Sequence, residues 1–258
     1  MPELTRPDGV RLYYETHGHR DAEPILLLEG LGGDIPGWRR NIPELAKELF
    51  VIAFDFRGNG RSDAPDEPVT MATFVEDAVA VLHFVGVDSA SVYGQSFGGM
   101  VAQEMALTHP ERVRSLVLAA THAGGSHVVP SAAEKVPKDR PWMALYAPGF
   151  PEANPDHVAE DLTVGSQHPQ QPHAGRRQWE AMRDFDVYDR LPSLDLPVLV
   201  LHGTEDLLVS PGNARVLASR IPGADLVLLD GAGHLYHSER AEESDAAVLD
   251  FVRRHNRG

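Results

Sequence analysis

Cysteine is absent from this 258-residue chain. Disulfides, thiolate-held metals and a thiol nucleophile are therefore excluded, a usage that suits a reducing, cytoplasmic setting. Long apolar runs are missing as well. PILLL and LPVLVL are strand-length, far short of the roughly 20 residues a membrane helix needs, and the opening MPELTRPDGVRLYYE lacks the apolar centre of a signal peptide. No membrane association is expected. Positive charge is scarce: 23 Lys and Arg face 38 Asp and Glu, giving a formal charge of −15. Without a basic cluster to override that average, phosphate backbones are repelled and nucleic acid is not an expected partner. There is no internal repeat or low-complexity tract. The 13 histidines include no HExxH or comparable spacing, so no metal site is expected.

What is present is an ordinary globular composition, 42% hydrophobic and 24% charged. A chain of this length buries a core without metal or disulfide help. Short branched runs alternate with helical patterns. RLYYETHG reads as a polar-alternating edge strand, followed by PILLLEG, LFVIAFDF, SASVYG, VRSLVLAA, LPVLVLHG and DLVLLDG. Such continuous Val/Ile/Leu runs suit strands buried on both faces. Between them, Phe74, Ala78, Val81, Leu82 and Val85 recur at helical spacing, with a start at Thr70 or Thr73 and a stop at Gly86. Another helix, GGMVAQEMALTH, ends before Pro110. Alternating strand and helix predicts an α/β fold, a mostly parallel sheet flanked by helices. The rhythm breaks over residues 122–190, which are rich in proline, histidine and scattered aromatics. A loop of that length is rarely structureless, so a small helical insertion is expected there.

One stretch carries chemistry. Gly94-Gln95-Ser96-Phe97-Gly98 is G-x-S-x-G, placed after the strand SASVY and before the helix GMVAQEMAL. It is either a glycine-rich turn with an ordinary serine or a nucleophile on a sharp, strained bend whose flanking glycines avoid collisions. A nucleophilic serine requires a base and a group that orients that base. Asp206 follows the strand LPVLVL and His234 follows DLVLL, so all three lie just past the carboxyl ends of strands, where clefts form in open parallel sheets. Their order, Ser96, Asp206, His234, is that of serine enzymes built on such sheets. After Asp206, Ser210 is expected to cap the next helix and Pro211 to start it.

The segments LLLEGLGGDIPGW, FDFRGNGRSD, GQSFGG, HGTEDLLVSP and GAGHLYHSE make the chain resemble the α/β-hydrolase family, in particular its small carboxylesterases and 3-oxoadipate enol-lactonase-like members. The resemblance implies a core over 1–121 and 191–258, with a small helical cap, 122–190, inserted after the sixth strand. It implies Ser96 as nucleophile, His234 as base, Asp206 as the orienting acid, and an oxyanion hole made by the backbone N–H groups of Leu31 and Phe97. His237 and Glu205 compete for the base and acid roles. The family pattern G-x-x-D, here Gly203-Thr204-Glu205-Asp206, favours Asp206, and AATHAGG after the sixth strand offers no acid.

One departure stands out. Where the family usually has His-Gly, this chain has Glu29-Gly30. A carboxylate facing the oxyanion would oppose catalysis, so Glu29 is expected to point away or to be paired. Trp38 is expected beneath that loop, Arg57 in a structural ion pair, and His202 and His17 in structural roles. Gln95, His122, Trp142, Met143, Tyr146, Phe150, Trp179 and Leu207 are the expected pocket residues, and their aromatic, apolar character suggests an apolar substrate. The expected activity is hydrolysis of a carboxylic ester or lactone through an acyl-enzyme. Enol-lactone or carbon–carbon bond hydrolysis in aromatic catabolism is the alternative, and a triad-retaining ligand-binding protein with slow turnover is the alternative of another class. Haloalkane dehalogenases and epoxide hydrolases carry aspartate at the position of Ser96, which argues against both. Monomer and homodimer are equally compatible with the sequence.

Overall fold

In the computed structural model, which describes residues 3–165 and 167–255, every branched apolar run becomes a strand. These are β1 (Glu3–Thr5), β2 (Arg11–His17), β3 (Glu23–Leu28), β4 (Leu49–Phe54), β5 (Ala90–Gln95), β6 (Val113–Ala119), β7 (Val198–Gly203) and β8 (Asp225–Leu229). They form one eight-stranded sheet in the order β1-β2-β4-β3-β5-β6-β7-β8. β2 runs antiparallel to both of its neighbours, and β3 to β8 are mutually parallel. β1 was not anticipated, because three residues are too few to show a period.

The helices are α1 (Ile42–Leu45), α2 (Met71–Val85), α3 (Phe97–Thr108), α4 (Phe150–Ala153), α5 (Pro155–Gly165), α6 (Pro172–Arg183), α7 (Gly212–Arg220), α8 (Tyr236–Glu239) and α9 (Ala241–His255). Alternate strand residues face opposite ways, so the sheet separates two apolar layers. Ile52, Val92, Leu118 and Val200 pack with the buried faces of α2 and α3. Val51, Tyr93, Val117 and Leu201 pack with Trp38 and α9. Every residue of β4, β5 and β7 is consequently buried, whereas β2 and β8, towards the sheet's margins, are partly exposed.

Local signals set the helix ends. Thr70 and Thr73 form a reciprocal capping box on α2, and Gly86 closes it at φ 78°, a left-handed conformation that glycine adopts without strain. α7 begins one residue later than expected, with Pro211 as its N-cap; the Ser210 hydroxyl accepts from the Gly212 N–H at 3.3 Å.

Between β6 and β7 the chain leaves the sheet to form α4, α5 and α6. The two ends of this excursion meet at a short neck. Gly124 bridges Asp186, and the Val187 N–H donates to the Ala123 carbonyl at 2.9 Å. The excursion is tied to the core over the sheet's carboxyl edge. Arg39 and Arg40 pair with Glu160 and Asp161 of α5. Asp161 also accepts from the Ser238 hydroxyl at 2.8 Å and from the Tyr146 hydroxyl at 3.2 Å. No helix among the described residues is long and apolar enough to cross a membrane.

Candidate active site

Ser96 sits between β5 and α3 with φ 53° and ψ −114°, a conformation that costs a side-chain-bearing residue free energy and persists only where its surroundings enforce it. The enforcement is steric. A Cβ on Gly94 would lie 2.3 Å from the Gly98 carbonyl oxygen, and one on Gly98 would lie 2.1 Å from that of Leu28. The glycines therefore let β5, α3 and the end of β3 approach closely enough to hold the bend. The Ser96 N–H donates to the Ala119 carbonyl at 2.8 Å, and its own carbonyl accepts from the Thr121 hydroxyl at 2.7 Å.

Asp206 follows β7 and His234 follows β8. His234 Nδ1 donates to Asp206 Oδ2 at 2.8 Å, and both side chains are almost wholly buried. The other carboxylate oxygen, Oδ1, accepts from the backbone N–H groups of Leu208 and Val209, each at 2.8 Å. Burial pushes Asp206 up, but the charge of His234 and the hydrogen bonds of His202 and His234 outweigh it and hold the carboxyl well below the usual range. Ser96 and His234 line one cavity of about 480 Å³. Among the described residues the Ser96 hydroxyl has no hydrogen bond to His234, so the row is closed at its acid end and open at the serine. Such bonds commonly shorten only around a bound substrate.

The N–H groups of Leu31 and Phe97 donate to no acceptor among the described residues. Leu31 lines the cavity beside Ser96, and Phe97 is the first residue of α3, whose N-terminus favours negative charge. Glu29, just before this loop, is buried. Its Oε1 accepts from the Gly30 N–H at 3.0 Å, while Oε2 has no partner, so the expectation of a paired carboxyl holds for one oxygen only. Burial raises it to about 7, with Asp34 adding to the rise and the Gly30 N–H and His234 opposing it.

Gln95 and Tyr146 line the cavity. The other expected pocket residues do not. The short turn Pro141–Leu145 presents Leu145 rather than Trp142 and Met143. Phe150 stacks on Tyr146 at 5.8 Å without reaching the cavity, and Trp179 is 58% exposed on α6. His122 turns to the neck, its Nδ1 accepting from the Gly124 N–H at 3.1 Å. Leu208 takes the place of Leu207, because the turn around Asp206 carries it inward. The lining residues missed in the sequence include Leu162 and Val164 on α5, and Leu235. Leu162 and Val164 lie in the insertion, where the sequence marked no individual element.

His237 is buried against Trp38, ring centres 4.9 Å apart, and burial, with the charge of His234, lowers it to about 3. Arg57 lies in the ion pair expected of it, its Nε and Nη2 donating to Asp77 at 2.6 and 2.8 Å.

A serine on a strained strand-to-helix bend at the carboxyl edge of a largely parallel sheet, with an acid after β7 and a histidine after β8, is the architecture of one large class of enzymes. The chain belongs to the family with the α/β-hydrolase fold, whose model matches residues 23–164 and 163–241. It is 30% identical to a Rhizobium rhizogenes protein provisionally named carbamate hydrolase RutD, over 94% of this chain and 98% of that one. It is 28% identical to 3-oxoadipate enol-lactonase 2 of Acinetobacter baylyi, over 98% and 97%. The crystal structure of the enol-lactonase from Burkholderia xenovorans superposes with a TM-score of 0.85 at 28% identity, covering 98% of this chain and 100% of the other.

Proposed function

We propose that the protein hydrolyses a carboxylic ester or lactone through an acyl-enzyme on Ser96. The observation that carries this reading is the Asp206–His234 hydrogen bond of 2.8 Å, with His234 and the strained Ser96 on one cavity. His234 takes the serine proton as the hydroxyl attacks the carbonyl carbon, and Asp206 holds the imidazole in the required tautomer. The Leu31 and Phe97 N–H groups stabilise the oxyanion, each contributing on the order of 100- to 1,000-fold in rate. His234 then protonates the departing alcohol and activates the water that frees the acid. The scheme needs no cofactor.

The cavity argues for an uncharged substrate. Arg39 is the lining arginine, and it is engaged by Asp161 and Glu160. The carboxyl-bearing residues Glu29, Asp34 and Asp161 line it together with Leu145, Leu162 and Leu235. A dicarboxylate finds no free cation among those residues. We read the 122–190 insertion as a lid, because its residues Tyr146, Asp161 and Leu162 line the cavity that holds Ser96 and His234.

The test pairs Ser96→Ala with a panel of neutral esters, lactones and a carbamate. Wild-type protein turns over at least one of them and is labelled by a fluorophosphonate. The variant loses both, with turnover down by at least about 10⁴-fold and its melting temperature unchanged. Retained hydrolysis in the variant removes Ser96 from the scheme. Labelling of the wild type without turnover of any member points to a binding role.

A further inference from the structure

His202, near the carboxyl end of β7, was expected to be structural, yet it lies against the same carboxylate as His234. Its Nε2 is 3.1 Å from Asp206 Oδ2 and 2.9 Å from the Val209 carbonyl oxygen. Both side chains are inaccessible to solvent. A carbonyl only accepts, so Nε2 carries the proton. Its Nδ1 has no partner. A proton there would be a buried, unpaired donor, which is costly, so the ring is the neutral Nε2–H tautomer.

We propose that His202 is a positioning residue for the reaction, a second imidazole donor to Asp206 that limits how strongly this acid pulls on the proton of His234. The inference rests on the triad reading given above. Asp206 Oδ2 is shared between two rings, one open to the cavity and one sealed in the core. The His202 N–H is directed at the Val209 carbonyl and shared with Oδ2 at 3.1 Å, so this oxygen has one full and one partial donor and less negative charge to offer His234. Its orientation is also fixed by a side chain that no substrate reaches, so the acid keeps its place when His234 swings between serine and leaving group.

The other titratable groups around His234 are Glu29 from the loop after β3, Glu239 and His237 from α8, and Asp206 itself. None of them substitutes for the donor that His202 provides.

His202→Phe removes the donor and keeps an aromatic ring; His202→Leu is a second apolar replacement should the first fail to fold; His202→Gln restores a side-chain N–H. The readout is the titration of the His234 ring protons by nuclear magnetic resonance, assigned with His234→Asn, together with the acid limb of kcat/KM. In the Phe or Leu variant both midpoints move to higher pH by about half a unit or more, as expected when a carboxylate loses a donor and strengthens its hold on a neighbouring cation. In the Gln variant they return towards wild type. Midpoints that stay in place in the apolar variants while the melting temperature falls would show that His202 only fills space, and would overturn the proposal. The resonance measurement needs no turnover: a shift in a protein that hydrolyses nothing upholds the coupling and refutes the hydrolase reading instead.

Discussion

Replacing Glu29 with glutamine removes a titrating group from the loop beside Ser96 and keeps its size. In the unfolded chain this carboxyl ionises near 4.5, whereas burial holds its proton in the folded protein until about 7. A difference of one pH unit is worth about 1.36 kcal/mol, so the folded state loses about 3 kcal/mol to this group. The loss begins as pH rises past 4.5, where the unfolded chain starts releasing a proton the native state still keeps, and is complete above about 7. The glutamine amide does not titrate. The melting temperature of the variant minus that of the wild type should therefore increase from pH 4.5 to pH 8, by about 6–12 °C at the 2–4 °C per kcal/mol typical of this chain length. Glu239 and Asp245, which burial also raises to about 7, are present in both proteins and cancel. Activity reads the same ionisation. Above pH 7 a charged Glu29 opposes the oxyanion. A charge on the loop that carries the Leu31 N–H repels the developing oxyanion and slows the reaction. Asp34 opposes that ionisation and His234 favours it. Wild-type kcat/KM for a neutral ester should fall on the alkaline side, and that of Glu29→Gln should reach a plateau. A melting difference independent of pH, with a wild-type plateau to pH 9, refutes the reasoning.

Arg57→Ala leaves Asp77 buried with only the Arg6 Nε bond of 2.9 Å; urea unfolding should show a loss of about 3 kcal/mol, partly recovered when Asp77→Asn is added. Asp161→Ala unties Ser238 and Tyr146 from α5 and leaves Arg39 only its pair with Glu160. It should raise KM more than it lowers kcat and speed proteolysis within 122–190; unchanged KM and digestion would show that the tie does not hold the lid.

The sequence made the elbow and its partners legible because each stands at a transition between two periods. Ser96 interrupts a strand run with glycines, and Asp206 and His234 follow runs of Val and Leu that end at Gly203 and Gly231. Strand ends in a parallel sheet share one edge, so marking three such ends placed three side chains near one another. The wall of the cavity had no comparable marker. Leu145 and Tyr146 come from an irregular turn, where one residue's shift decides which side chain faces in. The lining role of Leu162 depends on how α5 is drawn down by Arg39 and Arg40, pairs formed between residues about 120 positions apart. His202 was hidden differently: its place in a buried strand explains its burial, while its partner lies beyond the strand, where the chain turns back.

The surroundings of His234 hold carboxyls that ionise in different pH ranges, and the charge of His234 together with hydrogen-bond donors separates them. Asp206 accepts from two backbone N–H groups and the His234 imidazole, with His202 Nε2 3.1 Å from the same oxygen, and stays ionised although it is buried. Glu239 accepts from the N–H groups of Ala147 and Gly233, Glu29 from that of Gly30 alone, and burial raises both to about 7. The same residue chemistry thus ionises well below the usual range where a neighbouring cation and donors outweigh burial, and only towards pH 7 where they do not. This selectivity is what a serine base requires. One fixed negative charge orients the imidazole and stabilises its cation. Three within the same pocket would hold the proton on the ring and leave no base to activate Ser96. Under the mechanism proposed, that requirement is met by pairing one carboxyl with the imidazole and burying the others with few donors, rather than by keeping acidic residues away from the histidine.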